Sequence, residues 1–347
     1  MNPNELDHLY RIAEAIGDGQ VVDWEGEARA RPELTSYLDE LRMLETMGAA
    51  TAAVSPGTDH VAEVSTMGKL EERVRTALAE RYRIQRVLGR GAMAVVFLAE
   101  DPRHGRVVAI KVFDPKKASS VQPERFLREI AIAARLQHPH IVPLFDSGSE
   151  KGLLWYAMPY VEGETLRVLL ARHRQLPLDD AVRFATELAE ALDVAHRAGV
   201  VHRDLKPENV LLSSGHALLA DFGIARLFRE SQTATLTSPG TSLGTPNYMS
   251  PEQVLADPAA IGPPSDQYAL ACLLYEMLVG EPPFAGRTSD VVQHHLTTKP
   301  PRASALRPGL HRAFDAVIAK GMAKSPADRY ASAGELAAAA RAAAAGR

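Results

Sequence analysis

Residues 201–209 read VHRDLKPEN, and the triplet DFG at residues 221–223 begins seventeen positions after the aspartate of that motif. This aspartate, Asp204, has basic neighbours, including Lys206, which would keep its carboxylate ionised and able to accept a proton from a hydroxyl group. Lys206 can also place a positive charge beside a phosphoryl group. The stretch therefore indicates a loop that positions a hydroxyl group and a phosphate, as phosphoryl transfer requires.

Asn209 and Asp221 are the candidate metal ligands of this stretch. Their oxygens are hard donors that suit magnesium, an ion that takes only one or two protein groups together with water and phosphate oxygens. The alternative interpretation is structural: residues 210–212 and 217–220 form a hairpin around a polar turn at residues 213–216. Both interpretations are compatible, because catalytic residues usually lie on loops braced by strands.

A glycine-containing segment lies upstream, LGRGAMAVV at residues 88–96, and predicts a strand, a turn and a returning strand. Glycines at such a turn let backbone amides approach phosphate without interference from side chains. A dinucleotide-binding fold would need a helix directly after the glycines, whereas VVFLA at residues 95–99 is β-branched and apolar. The segment therefore argues against a dinucleotide-binding fold.

Lys111 interrupts an otherwise apolar strand, VVAIKVF at residues 107–113. A buried lysine needs an anionic partner, and the phosphates of a nucleotide would provide one. The other available partner is Glu129, from a helical run at residues 124–136. Taken alone, Glu129 fits an ordinary solvated helix charge as well as it fits a functional one.

From about residue 82 to residue 341 these motifs occur in the order found in eukaryotic-type protein kinases, and their style is similar to that of the bacterial (Hanks-type) serine/threonine kinases. The resemblance implies an α+β fold of two lobes, small and β-rich, then large and helical, with ATP and Mg²⁺, or Mn²⁺, between them. It implies that Asp204 is the catalytic base and that Asn209 and Asp221 bind the metal. The other catalytic residues that it assigns are Lys206, Lys111, Glu129 and Thr245.

The same resemblance assigns the nucleotide site. Lys111 would hold the α- and β-phosphates with Glu129 as its ion-pair partner, and Met158 would be the gatekeeper at the hinge between the lobes. Without this frame, the apolar members of the site would be interpreted as ordinary core residues. The complete set is Leu88, Gly89, Arg90, Gly91, Ala92, Val96, Ala109, Lys111, Met158, Tyr160, Val161 and Leu211.

Motifs further along the chain agree with this assignment. Residues 249–252, MSPE, resemble the end of a kinase activation segment, where Glu252 would pair with Arg329. The run at residues 265–278 is apolar on nearly every face and predicts a helix buried at the centre of a large lobe. In the family, the aspartate at the position of Asp266 accepts hydrogen bonds from the backbone of the catalytic loop.

The substrate class follows from the same comparison. Lys206, with the proline and glutamate that follow it, resembles the serine/threonine kinases, so serine or threonine acceptors on proteins are expected. Arg203 beside the base implies control by a phosphate on the activation loop. The leading sites in that loop are Thr235, Thr237 and Thr241, although a merely polar loop would be equally rich in threonine.

Composition sets limits on the class of protein. The chain has 347 residues, 46% of them hydrophobic, and a formal net charge of −4 with a pI near 6.3, which gives no indication of nucleic-acid binding. Its single cysteine, Cys272, excludes an internal disulfide and suits a reducing cytoplasm. No apolar run approaches the roughly eighteen residues of a membrane span, and the start of the chain does not resemble a signal peptide.

The predicted organisation has three parts: a helical N-terminal extension at residues 1–48, a linker and short helix at residues 49–80, and a kinase domain at residues 82–345. The small lobe is assigned to residues 82–160 and the large lobe to residues 161–345. For residues 1–80, a helical extension packed on the lobes is favoured over a dedicated binding domain.

The predicted function is phosphorylation of protein serine and threonine side chains, including those of the chain's own activation loop. The alternative is a pseudokinase scaffold that binds a nucleotide without transferring phosphate, but Lys111, Asp204 and Asp221 are all present. A small-molecule phosphotransferase would lack the landmarks at Glu252 and Arg329. The resemblance also leaves room for a homodimer formed through the small lobe.

Overall fold

The structure is a computed structural model that describes residues 26–27, 31, 59–91, 93–118, 121–222, 246–255 and 257–346. The chain divides into two compact units, Met1–Arg73 and Val74–Arg347. Most of the predicted N-terminal extension and all of residues 49–58 lie outside the described residues. Helix α1, Asp59–Leu78, takes up most of the part predicted as a linker and short helix, residues 49–80. Gly68 does not interrupt it, because one glycine costs a helix only about 1 kcal/mol relative to alanine.

The small lobe is an antiparallel sheet with strand order β1-β2-β3-β5-β4. The strands are β1 Arg83–Arg90, β2 Ala94–Asp101, β3 Arg106–Phe113, β4 Asp146–Glu150 and β5 Leu153–Pro159. The two strands on either side of the predicted glycine turn, β1 and β2, pair directly, as the pattern at residues 88–96 indicates. No helix follows the glycines, which confirms the argument against a dinucleotide-binding fold.

A short helix α2, Pro115–Ala118, precedes the main helix of the small lobe, α3, Pro123–Ala133. Phe126 and Ile130 recur four positions apart on α3 and are fully buried, so one face of α3 packs against the sheet. Helix α3 ends at Ala133, three residues before the predicted limit at residue 136. A turn follows the helix directly.

The large lobe is mainly helical and is built around one central helix, α7, whose side chains from Ser265 to Val279 are all buried. Such a helix is apolar on every side because other helices surround it, and α5, α10 and α11 pack directly against it. The helices of this lobe are α4 Leu166–His173, α5 Leu178–Arg197, α6 Pro251–Val254, α7 Pro263–Val279, α8 Thr288–Thr297, α9 Ala303–Leu306, α10 Ala313–Gly321 and α11 Ala333–Ala345. This arrangement confirms the predicted α+β, two-lobed fold.

A three-stranded sheet of β6 Glu164–Thr165, β7 Val210–Ser213 and β8 His216–Leu219 lies at the start of the large lobe. The predicted hairpin is present, and its two turn residues, Ser214 and Gly215, both have positive φ angles, as two-residue hairpin turns require. The segment after α3 is bonded to β8 through the backbone, from Val142 N to Leu219 O and from Leu219 N to His140 O, each at 2.9 Å. Through these hydrogen bonds, the hairpin of β7 and β8 holds the segment after α3 against the large lobe.

The predicted ion pair between Glu252 and Arg329 is present and buried. Both guanidinium Nη atoms donate to the two carboxylate oxygens, at 2.7 and 2.8 Å, and the side chains are 4% and 0% exposed. Burial alone would raise the pKa of Glu252, but the hydrogen bonds from Arg329 and Ser265 lower it below its ordinary value. This pair joins the start of α6 to the segment just before α11.

We expect Glu252→Gln to destabilise the fold by about 3–5 kcal/mol, because the buried Arg329 then keeps only backbone oxygens as acceptors and loses its negatively charged partner. Urea unfolding at pH 7 measures the loss. Arg172→Met is the matched control: it breaks a more exposed pair with Glu164, for which a change of no more than about 1 kcal/mol is expected. Equal losses in the two variants would contradict the prediction.

The same pair makes the stability of the fold depend on pH. The pKa of Glu252 is lower in the folded chain than its unfolded value of about 4.3, so the stabilisation is present above that pH and disappears as the pH falls below it. The difference in urea midpoint between wild type and Glu252→Gln should therefore shrink between pH 6 and pH 3. A difference that stays constant over this range would contradict the assignment.

Candidate active site

The loop at residues 201–209 is held in shape by Asp266, at the first turn of α7. Its Oδ2 accepts the backbone amide of His202 at 2.8 Å, and its Oδ1 accepts that of Arg203 at 2.7 Å, as the resemblance predicts. His196, from the end of α5, lies 2.7 Å from the same Oδ2. Arg203 has a φ of 67°, a left-handed conformation that costs a residue with a side chain on the order of 1–3 kcal/mol. The two hydrogen bonds from the backbone amides of His202 and Arg203 to Asp266 stabilise that strained backbone.

Three of the predicted catalytic and metal-binding side chains meet within this loop. The ammonium group of Lys206 lies 2.8 Å from Oδ2 of Asp204. The side-chain amide of Asn209 donates to the backbone oxygen of Asp204 at 2.8 Å and to its Oδ2 at 3.1 Å. The carboxylate of Asp204, 21% exposed, is therefore oriented by two neighbours and still reaches solvent.

Asp221 lies opposite the small lobe and has two partners there. Lys111 Nζ is 2.6 Å from its Oδ2, and the hydroxyl of Tyr156 donates to its Oδ1. Burial would raise the pKa of Asp221, but the charge and hydrogen bond of Lys111, with the Tyr156 hydroxyl, lower the pKa below its usual value. The carboxylate is therefore ionised at neutral pH and suited to a cation.

The loop is hydrogen-bonded to Ala220, the residue just before Asp221. The ring of His202 donates from Nε2 to the backbone oxygen of Ala220 at 2.8 Å, and the amide of Ala220 donates to the backbone oxygen of Asn209 at 3.0 Å. The rings of His202 and Phe222 meet edge to face with centroids 4.8 Å apart. The two candidate metal ligands, Asn209 and Asp221, thus belong to segments in fixed relation.

The expected ion pair between Lys111 and Glu129 is not formed in this structure, and this corrects the sequence-based expectation. Lys111 instead pairs with Asp221, whose side chain is only 19% exposed and needs the nearby positive charge. Glu129 lies on α3 with a half-buried position between Arg128 and Ile130. A catalytic role for Glu129 therefore stays a prediction.

The predicted adenine pocket is brought together as one apolar cluster that spans both lobes. Ala109 and Met158 are buried members of this cluster, and Leu88, Val96, Val161 and Leu211 pack against it. Lys111, Ala109 and Met158 come from the paired strands β3 and β5, whereas Leu211 comes from β7. Tyr160 follows β5 in a half-buried position. Gly89 and Arg90 end β1, and the amide of Gly91 donates to Ala94 O at 2.8 Å.

Five of the predicted site residues lie outside the described residues. They are Ala92, Thr245, Thr235, Thr237 and Thr241.

Sequence reasoning missed Tyr156 as a site residue. It pairs directly with Lys111 in the ladder between β3 and β5, so both side chains project from the same face of the sheet. A signal was available: Tyr156 lies in a strand that is buried almost throughout, and a buried tyrosine hydroxyl needs a partner. The partner itself, Asp221, is 65 positions away and follows only from the fold.

The described residues fit a metal held partly by a nucleotide. Among them, there is no group of three or more His, Cys, Asp or Glu side chains placed to bind a metal ion. Asn209 and Asp221 supply two hard oxygen donors, which is the number that magnesium usually takes from a protein when phosphates and water provide the rest. The low pKa of Asp221, caused by Lys111 and Tyr156 against the effect of burial, is consistent with this use.

The structure combines a small β-sheet lobe with a large helical lobe, and it brings carboxylates, an amide and two lysines together between them. This is the arrangement of groups that nucleotide-dependent phosphotransferases use. Residues 82–337 match the protein kinase domain family. The chain therefore belongs to the protein kinases, and the resemblance drawn from its motifs is confirmed.

Three curated relatives are bacterial serine/threonine-protein kinases. Identity is 44% over 264 residues with PknE of Mycobacterium tuberculosis (strain ATCC 25177 / H37Ra), covering 76% of this chain and 46% of the relative. It is 45% over 262 residues with PknH of Mycobacterium bovis, covering 75% and 43%. It is 46% over 263 residues with PknD of M. tuberculosis (strain CDC 1551 / Oshkosh), covering 75% and 39%.

The matched region thus spans less than half of each of these relatives. In the part of the chain that the structure describes, none of the helices combines the length and the apolar character needed to cross a membrane.

We expect Asp266→Asn to lower the rate of phosphate transfer by about a hundred-fold, because a misplaced reacting group costs an enzyme on this order. The side-chain amide of asparagine has only one acceptor oxygen for the three groups that now donate to Asp266, which come from His196, His202 and Arg203. Its NH₂ group would face at least one of these donors. Asp193→Asn is the matched control, because Asp193 also accepts two backbone amides, but from Ala333 and Gly334 at the start of α11 and not from the catalytic loop. Similar rates for the two variants would contradict the role of Asp266.

Proposed function

We propose that this chain transfers the γ-phosphoryl group of ATP to serine and threonine hydroxyl groups of proteins. The observation that carries the proposal is the bonded set of Asp204, Lys206 and Asn209 beside an ionised Asp221 that is held by Lys111. Each group required for phosphoryl transfer has a residue of suitable chemistry: a base, cations, hard metal ligands and a phosphate-binding turn.

The proposed role of Asp204 is to accept the proton of the acceptor hydroxyl as the hydroxyl oxygen bonds to the γ-phosphorus. The bond from that phosphorus to the bridging oxygen breaks in the same step, and ADP is the leaving group. Lys206, 2.8 Å from Asp204 Oδ2, pairs with this carboxylate and carries a positive charge to the transferring phosphoryl group. Asn209 holds Asp204 by two hydrogen bonds, so the base presents one orientation to the acceptor. The loop can therefore orient the base before the acceptor binds.

We assign the metal to Asn209 and Asp221, and magnesium, with manganese as the alternative, matches their oxygen donors. When bound, such an ion neutralises charge on the phosphates during transfer. Adenine would lie between Val96 and Ala109 on one side and Leu211 on the other. Lys111 would bind the α- and β-phosphates, which are anionic partners of the kind that Asp221 provides in this structure.

Acceptor choice and control are assigned from the same loop. Lys206, with the Pro-Glu that follows it, favours serine or threonine acceptors. The names of the relatives PknE, PknH and PknD, which describe serine/threonine-protein kinases, support the same choice. Arg203, next to the base, favours activation by a phosphate on the activation loop. We propose autophosphorylation at Thr235, Thr237 or Thr241 as the source of that phosphate.

Several wider expectations stay predictions. They are the domain limits at residues 82–345, with lobes at 82–160 and 161–345, a cytoplasmic location, a homodimer through the small lobe, and partners that are proteins rather than nucleic acids. The pseudokinase alternative has no residue in its favour, because Lys111, Asp204, Asn209 and Asp221 are all present. Activity measurements separate the two functions directly.

We expect Asp204→Asn and Lys111→Ala each to lower phosphate transfer from labelled ATP by about a thousand-fold, since a positioned base alone contributes 10²–10⁴. The assay uses the purified chain with Mg²⁺ and a generic serine/threonine substrate. Asp193→Asn and the exposed Lys299→Ala are matched controls that should retain activity. The proposal fails if wild type, even after pre-phosphorylation, transfers no more phosphate than Asp204→Asn.

We expect mass spectrometry of the wild type after incubation with ATP and Mg²⁺ to find phosphate within residues 230–245, and to find none in Asp204→Asn. Replacing Thr235, Thr237 and Thr241 together by alanine should lower the rate on an added substrate about ten-fold or more, because Arg203 then has no phosphate to pair with. An unchanged rate in the triple variant would remove these three residues from the control of activity.

A further inference from the structure

The hydroxyl of Tyr156 and the ammonium of Lys111 approach Asp221 from the same sheet face but bond to different oxygens. Lys111 lies 2.6 Å from Oδ2, and Tyr156 donates to Oδ1. The two residues are direct cross-strand partners, so a single register between β3 and β5 places both of them. Asp221 therefore has one charged and one neutral donor supplied by adjacent strands.

Tyr156 is fully buried, with 0% of its surface exposed. Its hydroxyl lies in the interior of the protein and donates a hydrogen bond to Oδ1 of Asp221. A buried hydroxyl without a partner would cost free energy, so the bond to Asp221 also satisfies Tyr156. The Tyr156 hydroxyl is thus a buried donor to one oxygen of the Asp221 carboxylate.

The ring of Tyr156 is fixed by packing as well. Its centroid lies 6.1 Å from that of Phe113 at the end of β3, and Phe113 meets Phe126 of α3 edge to face at 5.5 Å. Side chains packed in this way keep one orientation, so the hydroxyl is held in place independently of Asp221. This distinguishes Tyr156 from Lys111, whose long side chain is expected to move to nucleotide phosphates.

We propose that Tyr156 is a positioning residue that orients the Asp221 carboxylate for binding the metal–nucleotide complex. The inference rests on the proposed role of Asp221 as a metal ligand. An ionised carboxylate offers about four lone-pair sites, so one donor on Oδ1 leaves room for a cation. Hydrogen bonds of this kind to a ligating side chain commonly change metal affinity by about ten- to a hundred-fold.

The test compares Tyr156→Phe with Tyr82→Phe. Tyr82 donates to Asp146 at 3.0 Å in the same lobe, so both variants lose one hydroxyl bonded to an aspartate and keep the ring. Binding of Mn²⁺ to the full chain is measured by electron paramagnetic resonance in the presence of a non-hydrolysable ATP analogue. We expect about ten-fold weaker Mn²⁺ binding in Tyr156→Phe and wild-type binding in Tyr82→Phe.

Two further measurements separate positioning from general damage. Binding of the analogue without metal, and the thermal unfolding midpoint, should stay near wild type in Tyr156→Phe. If that variant does not fold, Tyr156→Met fills similar apolar volume and is expected to show the same loss of Mn²⁺ affinity. Unchanged or tighter Mn²⁺ binding in the folded variant, or an equal loss in Tyr82→Phe, would overturn the proposal.

Asp221→Asn distinguishes this inference from the function on which it rests. If Asp221→Asn abolishes Mn²⁺ binding while Tyr156→Phe does not weaken it, the positioning role is wrong and the metal assignment stands. If Asp221→Asn binds Mn²⁺ as wild type does, the metal assignment itself is wrong, and the positioning role is overturned with it.

Discussion

The carboxylate of Asp266 holds together the part of the molecule on which its chemistry depends. It is 1% exposed, it lies at the first turn of a helix that is buried along its length, and it accepts the amides of His202 and Arg203. Because that helix is surrounded by the other helices of the large lobe, the acceptor cannot move without disturbing the whole core. The strained backbone before Asp204 is therefore supported by a helix at the centre of the core.

The second carboxylate of the site, Asp221, depends on the other lobe. Its partners Lys111 and Tyr156 come from neighbouring strands of the small sheet, whereas its chain segment is fastened to the catalytic loop through Ala220. The large lobe thus fixes the base, and the two lobes together fix the candidate metal ligand. This division explains why the site needs both the sheet and the helices, although all of its chemistry can be named from a few residues.

Features that depend on neighbouring residues were predictable from the sequence. The turn at Ser214 and Gly215, the strands around the glycines and the buried helix α7 follow from local patterns, and the pair of Glu252 with Arg329 followed from the resemblance. Contacts that depend on side-chain reach were not predictable. The sequence suggested nucleotide phosphates and Glu129 as partners of Lys111, and only the packing of the lobes shows that it meets Asp221. Tyr156 was missed for the same reason.

The backbone hydrogen bonds that join His140 and Val142 to Leu219 fix the chain leaving the small lobe to the large lobe at one point near the site. Leu219 is two residues before Asp221, so a rocking motion of the small sheet about this point would displace Asp221 little and the distant glycine turn between β1 and β2 much more. The space between the lobes would then widen at the edge formed by the glycine turn. A ligand between the lobes would then enter and leave through that edge, while the segment that carries Asp221 keeps its hydrogen bonds to the catalytic loop.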